Sequence, residues 1–357
     1  MEAAERTLVL LITDFRGLIP QRITAWEGLD LDAIRETLER AGVEVQIIGA
    51  HEIDLVALRT RKHVVAIYAS SQEPRYKQYL QDIMANLHFC GVTLFPSLAH
   101  MMAHEDKAFQ AIRLSATNIR APRSFVFGSK QEAYAFLDHA DFPLVGKTAD
   151  GFGSKGVCLL KNRQEGKKFV DRHMFHRALK KGRPLYVRVL QRVFKPRPVL
   201  GILVFQEFVP TLKGDWKILI WADTACGLYR ENRRNDFRAS GSGKIRFADI
   251  PPQVLEFAYE AIGKLDLPWG SLDIAYDGHQ CYLLEYQGIH FGLTTAEKGV
   301  FYYVRDSTGA WEKRTGRIEI EKEMARIVIR CLADRGCLNV ADHGVVGMVS
   351  HDPRLFS

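Results

Sequence analysis

The sequence has few of the features that mark secreted, membrane-spanning or zinc-binding proteins. Its six cysteines are irregularly spaced and form no Cys-x-x-Cys pair, which argues against a zinc site or a disulfide framework. The apolar run Leu8–Ile12 is too short to span a bilayer, and acidic residues flank it where a secretory signal would be basic. There is no internal repeat and no low-complexity segment. These absences predict a cytoplasmic protein without a membrane span.

Positive charge is concentrated in one segment of the chain. Residues 161–197 contain thirteen Lys and Arg against two acidic residues, a net charge of +11. Since the whole chain carries +7, the remainder carries −4. This basic segment would suit an anionic partner, but it would equally suit a solvated surface, and the sequence leaves both interpretations open.

Apolar and amphipathic stretches alternate along the chain and predict an α/β (α+β) fold. Strands at 7–14, 63–71 and 91–97 alternate with helices at 31–40 and 75–90, which indicates a parallel sheet. With a length of 357 residues, two or three domains are expected. We predict an N-terminal α/β domain at 1–100, a central subdomain with a glycine loop at 101–205, a C-terminal subdomain at 206–336 and a tail at 337–357.

A glycine-rich loop lies between two predicted strands in the stretch VGKTADGFGSKGVCLL, residues 145–160. Three glycines let backbone amides approach phosphate oxygens, and Ser154 and Lys155 add a hydroxyl and an ammonium. The spacing matches neither a P-loop nor a G-x-G-x-x-G turn that opens a helix. A phosphate-covering lid between strands fits the pattern, and so does a hairpin that binds no ligand.

Two carboxylates stand inside the apolar stretch SLDIAYDGHQCYLLEYQ, which is predicted to be a β-hairpin around Asp277-Gly278. Asp273 and Glu285 lie on its two strands, and Gln287 shares a face with Glu285 because side chains alternate along a strand. Carboxylates in a sheet are costly unless they are paired or bind a metal. Two carboxylates and an amide oxygen suit Mg²⁺, and a buried ion pair with an arginine is the alternative.

The order of these parts resembles the ATP-grasp superfamily of carboxylate–amine ligases over residues 100–335. The resemblance is strongest to the branch of the ribosomal-protein glutamate ligase and glutathione synthetase. It rests on the Asp-Lys pair at 106–107, PLVGK, GFGSKGV, QEFV at 206–209, GDWK, RENRRNDFRASGSG and the Asp, Glu-x-Gln pattern of the hairpin. One departure is Gln287, which stands where the family usually has asparagine.

The resemblance implies three sets of site residues. The set that would bind ATP is Lys107, Lys147, Gly151, Gly153, Ser154, Lys155, Gly156, Gln206, Glu207, Phe208, Val209 and Asp215. The set that would bind Mg²⁺, with Mn²⁺ as an alternative, is Asp273, Glu285 and Gln287. The set that would act in catalysis is Arg230, Arg238 and Lys217.

The resemblance also implies an activity: ATP-dependent formation of an amide bond through an acyl phosphate, with ADP and phosphate as products. The basic segment favours an anionic acceptor, either an acidic peptide or amino acid or a uronic-acid sugar or polysaccharide, and residues 288–312 are expected to form the acceptor loop. The resemblance also allows a homodimer. The alternatives are a kinase of the same fold that phosphorylates a hydroxyl, and a non-catalytic protein that binds nucleotides or nucleic acid.

Overall fold

The computed structural model describes residues 6–21, 27–150, 156–174, 201–210, 212–234 and 236–338. The chain divides into two compact units. The first unit combines Met1–His104 with Leu212–Ser357, and the second is Glu105–Thr211. Within the described ranges, no helix is both long enough and apolar enough to cross a membrane.

The first unit begins with the predicted parallel sheet. Its strands are β1 (Leu8–Thr13), β2 (Glu44–Gly49), β3 (Val64–Tyr68) and β4 (Thr93–Phe95), in the spatial order β2-β1-β3-β4. Its helices are α1 (Leu31–Arg40), α2 (Leu55–Leu58), α3 (Pro74–Phe89) and α4 (Leu98–Ala103). Strands β1 and β3 are buried along their whole length, as expected for a sheet covered on both faces.

A seven-stranded sheet forms the rest of the first unit. Its strands are β9 (Gly214–Trp221), β10 (Thr224–Glu231), β11 (Ile245–Arg246), β12 (Trp269–Tyr276), β13 (Cys281–Gln287), β14 (Phe301–Arg305) and β15 (Trp311–Thr315). They follow the order β13-β12-β9-β10-β14-β15, with β11 paired to β10. The helices here are α8 (Pro252–Leu265), α9 (Thr294–Lys298) and α10 (Ile320–Asp334).

The C-terminal part of the chain returns to the N-terminal sheet. Ile289 is buried in the same apolar cluster as Leu10 and Tyr68 of that sheet. Helix α10 packs against α1, and the backbone N–H of Asp30 donates to Glu321 Oε1 at 3.1 Å. The first unit is therefore one folded body built from two distant parts of the sequence.

The second unit is an antiparallel sheet with helices. Its strands are β5 (Ser124–Phe127), β6 (Leu144–Thr148), β7 (Val157–Leu160) and β8 (Leu203–Glu207), in the order β5-β8-β6-β7. Its helices are α5 (Lys107–Ser115), α6 (Lys130–Leu137) and α7 (Arg163–His173). Phe205 is fully buried among Leu137, Leu160 and Phe169, which is the core of this unit.

One expectation is corrected by the structure: residues 288–312 are not a single acceptor loop. They contain α9, β14 and the beginning of β15, with irregular structure before α9 and in the short connections between these elements. Tyr303 is buried, and its phenol oxygen accepts the backbone N–H of Ile250 at 3.1 Å. Phe291 is also buried. These two aromatics therefore serve packing.

Candidate functional site

The register of four antiparallel strands places the predicted residues of the first unit on one face. On β9, Asp215 lies opposite Arg230 of β10, and Lys217 lies opposite Asp273 of β12. Asp273 in turn lies opposite Glu285 of β13. Residues two apart on a strand share a face, and directly opposed residues do too. The sheet therefore brings residues from three separate sequence motifs together.

Arg230 is the cation at the centre of this face. Its Nε and Nη2 donate to Asp215 Oδ1 and Oδ2 at 2.6 and 2.9 Å, and Nη2 also contacts Asp273 Oδ2 at 2.7 Å. Burial alone would lower the pKa of Arg230, but the two carboxylates outweigh it and raise that pKa. Burial raises the pKa of Asp215. The sequence had left open that Asp273 forms a buried ion pair with an arginine instead of binding a metal. The structure shows such an ion pair, and the arginine is Arg230, one of the predicted catalytic residues.

Lys217 is a second buried cation on the same face. Its Nζ donates to Ser271 Oγ at 2.8 Å and to the carbonyl oxygen of Phe291 at 3.3 Å. Burial lowers the pKa of Lys217, while the negative charge of Asp273 opposes that shift. Lys217, Asp273 and Glu285 form a row across three neighbouring strands, which we call the carboxylate row. The ammonium of Lys217 is fixed by two neutral oxygens at one end of this row.

Glu285 and Gln287 lie side by side at the end of β13. Gln287 Nε2 donates to Glu285 Oε1 at 3.1 Å, and Gln287 Oε1 lies 3.1 Å from His104 Nδ1. His104 is 1% exposed. Burial, together with the positive charge of Lys77, lowers the pKa of His104 to about 3, so the ring is neutral.

The donor set on this face fits a magnesium ion in its chemistry. Asp273, Glu285 and Gln287 offer carboxylate and amide oxygens, which Mg²⁺ prefers. Within the ranges that the structure describes, no group of three or more His, Cys, Asp or Glu side chains is arranged to hold a metal. A site here would therefore need the amide oxygen of Gln287 as well as the two carboxylates.

The second unit carries the predicted phosphate-binding lysines at one end of its sheet. Lys107 is buried at the start of α5, and its backbone N–H donates to the carbonyl of Ala149 at 2.8 Å, two residues after Lys147. Gly156 has φ of +73°, and a Cβ there would stand 2.4 Å from Thr148 Oγ1. Only glycine fits this position without strain.

The predicted ATP-binding stretch Gln206 to Val209 begins at the end of β8. Gln206 is buried, and its Nε2 donates to Ser124 Oγ at 2.9 Å. Glu207 is exposed, and Phe208 and Val209 follow it outside the strand. Gly151, Gly153, Ser154 and Lys155 of the predicted lid lie outside the described residues.

Arg238 forms an ion pair with a neighbour in its own loop. Its Nε and Nη2 donate to Asp236 Oδ2 at 2.9 and 2.6 Å, in the connection between β10 and β11. The structure thus joins Arg230 and Lys217 to the carboxylate row and ties Arg238 to its own loop.

Sequence reasoning missed the contacts that fix the segment after Gln287. The side chain of Gln21 donates to the carbonyl of Ile289 and accepts the N–H of Phe291 at 3.2 Å. Between them, His290 stacks on His104, and burial and the charge of Arg16 lower the pKa of His290. No spacing signal in the sequence could have linked Gln21 to a segment 270 residues away.

The described part of the basic segment is partly neutralised by acidic neighbours. Arg163 and Lys167 both pair with Asp138, at 2.6 and 2.8 Å, and Asp171 of the segment itself pairs with Lys130. Residues 175–197 of the segment lie outside the described residues. For residues 161–174, a solvated surface with ion pairs accounts for these charges.

Comparison with known proteins identifies the fold. Neither a protein-family model nor a curated protein matches the chain. Among solved structures, the chain is similar to D-cycloserine synthetase DcsG, with 13% identity, a TM-score of 0.53 and coverage of 91% of this chain and 99% of that one. It is also similar to the macrocyclase MdnC of Microcystis aeruginosa MRC bound to its precursor peptide MdnA, with 11% identity, a TM-score of 0.50 and coverage of 90% and 99%.

A RimK-domain ATP-grasp protein from Sphaerobacter thermophilus aligns at 13% identity and a TM-score of 0.46, over 79% of this chain and 91% of that one. The predicted fold class is confirmed: a mixed α/β structure with a parallel sheet and antiparallel sheets, as in ATP-grasp proteins. At these identities the similarity establishes the fold alone.

Proposed function

We propose that the protein is an ATP-dependent ligase that joins a carboxylate to an amine through an acyl phosphate. The observation that carries this proposal is the cross-strand row in the first unit, where two buried cations and three oxygen donors share one face of the sheet. Lys217, Asp273 and Glu285 occupy directly opposed positions on three neighbouring strands. A fold by itself does not determine function, so the proposal depends on these side chains.

Arg230 would stabilise the phosphoryl group during its transfer. Its guanidinium donates two parallel hydrogen bonds to Asp215, at 2.6 and 2.9 Å, so the positive charge is placed before any substrate arrives. A charge that is already in position costs no reorganisation in the transition state. Lys217, fixed by Ser271 and the carbonyl of Phe291, would supply a second cation for negative charge that develops on the reacting groups.

The resemblance of the sequence motifs assigns the binding of ATP to two groups of residues. Lys107 and Lys147 would contact its phosphates, and Gln206 to Val209 would bind the base. Asp273, Glu285 and Gln287 of the first unit would hold Mg²⁺. When bound there, Mg²⁺ supplies charge neutralisation on the phosphate oxygens.

The proposed reaction has two steps. An oxygen of the substrate carboxylate bonds to the γ-phosphorus as the bond from that phosphorus to the bridging oxygen breaks, which releases ADP. The amine nitrogen then bonds to the acyl carbon and loses a proton, and phosphate leaves. The burial of Asp215 fits a site that excludes water, which protects an acyl phosphate from hydrolysis.

The acceptor is proposed to be anionic: an acidic peptide or amino acid, or a uronic-acid sugar or polysaccharide. The net charge of +11 over residues 161–197 supports this part of the proposal. Because Asp138 pairs with Arg163 and Lys167 of residues 161–174, the support comes mainly from the charge of residues 175–197. A homodimer stays a prediction.

The test is ATP consumption with Mg²⁺ against a panel of carboxylates and amines, with ADP, phosphate and product mass measured together. The proposal expects ADP, phosphate and a product lighter by one water than the two substrates combined. ADP with a phosphorylated product would instead make the protein a kinase, and AMP with pyrophosphate would exclude the acyl phosphate. Arg230→Lys should abolish product formation, because the point charge of lysine cannot reproduce the two parallel hydrogen bonds that Arg230 makes to Asp215. Arg238→Lys tests whether the second predicted arginine acts with it.

A further inference from the structure

The side-chain amide of Gln287 lies between the carboxylate of Glu285 and the imidazole ring of His104. On one side its Nε2 is 3.1 Å from Glu285 Oε1, and on the other its Oε1 is 3.1 Å from His104 Nδ1. Glu285 precedes Gln287 by two residues on β13 and therefore shares its face. The side chain thus spans the distance from the carboxylate row to a buried histidine.

His104 is held firmly in its place. It follows the last residue of α4, is 1% exposed, and stacks on His290 with ring centroids 6.3 Å apart. The Lys77 ammonium donates to the carbonyl oxygen of His104. Its second ring nitrogen, Nε2, is buried without a hydrogen-bond partner among the described residues. Among the described residues, the hydrogen bond between Nδ1 and Gln287 is therefore the one that the His104 ring makes.

The chemistry of the two groups allows two arrangements. A neutral imidazole donates or accepts at Nδ1 according to its tautomer, and an amide has a donor end and an acceptor end. In the arrangement observed, the amide nitrogen faces Glu285. If the amide turns over, its oxygen joins the Glu285 carboxylate as a second oxygen donor, and its nitrogen donates to His104 Nδ1. Only this second arrangement suits a cation.

We propose that His104 is a positioning residue that holds the Gln287 amide with its oxygen toward the metal, an inference that rests on the proposed magnesium site. Residues that hydrogen-bond to a metal ligand commonly orient that ligand toward the metal. The proposal also explains why glutamine is used at this position. Asparagine is one methylene shorter, so its amide could not contact His104 and reach the metal at the same time.

The first test measures Mn²⁺ binding, by electron paramagnetic resonance of the free ion, in the presence of a non-hydrolysable ATP analogue. His104→Ala should weaken Mn²⁺ binding by about 10-fold, within the range that loss of an outer partner produces. His104→Asn, which retains a polar atom near the position of Nδ1, should recover most of that loss. His100→Ala is the matched control, because His100 is equally buried on α4 but bonds to the carbonyl of Asp266 at 3.0 Å. It should leave Mn²⁺ affinity unchanged.

The second test concerns Gln287 itself. Gln287→Asn should bind Mn²⁺ several-fold more weakly than the natural protein, and adding His104→Ala to it should cause no further loss, because the two changes break the same contact. Tighter binding by Gln287→Asn, or His104→Ala within twofold of the natural protein, would overturn the proposal. If His104→Ala does not fold, His104→Asn and Gln287→Asn decide the question.

Glu285→Ala separates this inference from the function on which it rests. If Glu285→Ala binds Mn²⁺ normally, the proposed metal site itself is wrong. If Glu285→Ala loses Mn²⁺ but the His104 variants keep it, the metal site stands and only the positioning role of His104 fails.

Discussion

Removal of the Arg230 guanidinium should leave two carboxylates without their cation in a buried site. The side chains of Arg230, Asp215 and Asp273 are 12%, 10% and 22% exposed. Removing one partner of a buried ion pair costs about 3–5 kcal/mol. Since Asp273 is partly exposed, we expect Arg230→Ala to lower the free energy of unfolding by about 3 kcal/mol at pH 8.

The dependence of this loss on pH gives the sharper test. In Arg230→Ala, the pKa of Asp215 should rise further, because burial already raises it and the opposing charge is gone. The folded state then binds a proton that the unfolded state has released, so stability increases as the pH falls. Between the pKa of Asp215 in the unfolded state and its raised pKa in the folded state, each pH unit is worth up to about 1.4 kcal/mol.

The assay is urea unfolding between pH 5 and pH 8. Arg230→Ala should regain at least about 1 kcal/mol relative to the natural protein as the pH falls, and Asp215→Asn with Arg230→Ala should remove this gain. Arg238→Ala is the matched control, because the Arg238–Asp236 pair is more exposed, at 29% and 20%. Its loss should cost less than about 1 kcal/mol. An Arg230→Ala defect that is equal at pH 5 and pH 8 would refute the reasoning.

Three further predictions concern metal, nucleotide and acid stability. Glu285→Ala should lose Mg²⁺-dependent turnover while its thermal unfolding curve stays as in the natural protein, and normal turnover would remove Glu285 from the metal site. Lys147→Ala should weaken ATP binding measured by calorimetry, whereas Lys130→Ala, on the exposed start of α6, should not; equal affinities would exclude Lys147. His104 has a pKa of about 3 when folded and about 6.5 when unfolded, so the unfolded state takes up a proton first as the pH falls. Stability should therefore drop by about 2 kcal/mol between pH 7.5 and pH 5 from this residue, and His104→Asn should show a correspondingly smaller drop in urea unfolding.

Local patterns in the sequence were enough to predict many of the individual elements. The helix Leu31–Arg40 was predicted with its observed bounds because an amphipathic stretch ends just before Gly42. The hairpin of β12 and β13 was predicted because Asp277-Gly278 separates two apolar runs. Residues 288–312 were misjudged, since a helix and a hairpin with few turn signals do not differ from a loop in local pattern.

The sequence by itself determined which chemical groups are available and which of them share a face within one strand or hairpin, because side-chain direction alternates locally. Asp273, Glu285 and Gln287 could be placed together on that basis. Only the tertiary structure decided that Arg230 pairs with both Asp215 and Asp273, and that His104 contacts Gln287. Those contacts depend on which strands become neighbours and on the return of the chain to its N-terminal sheet. Both are set by burial of apolar surface over the whole unit, which no local spacing encodes.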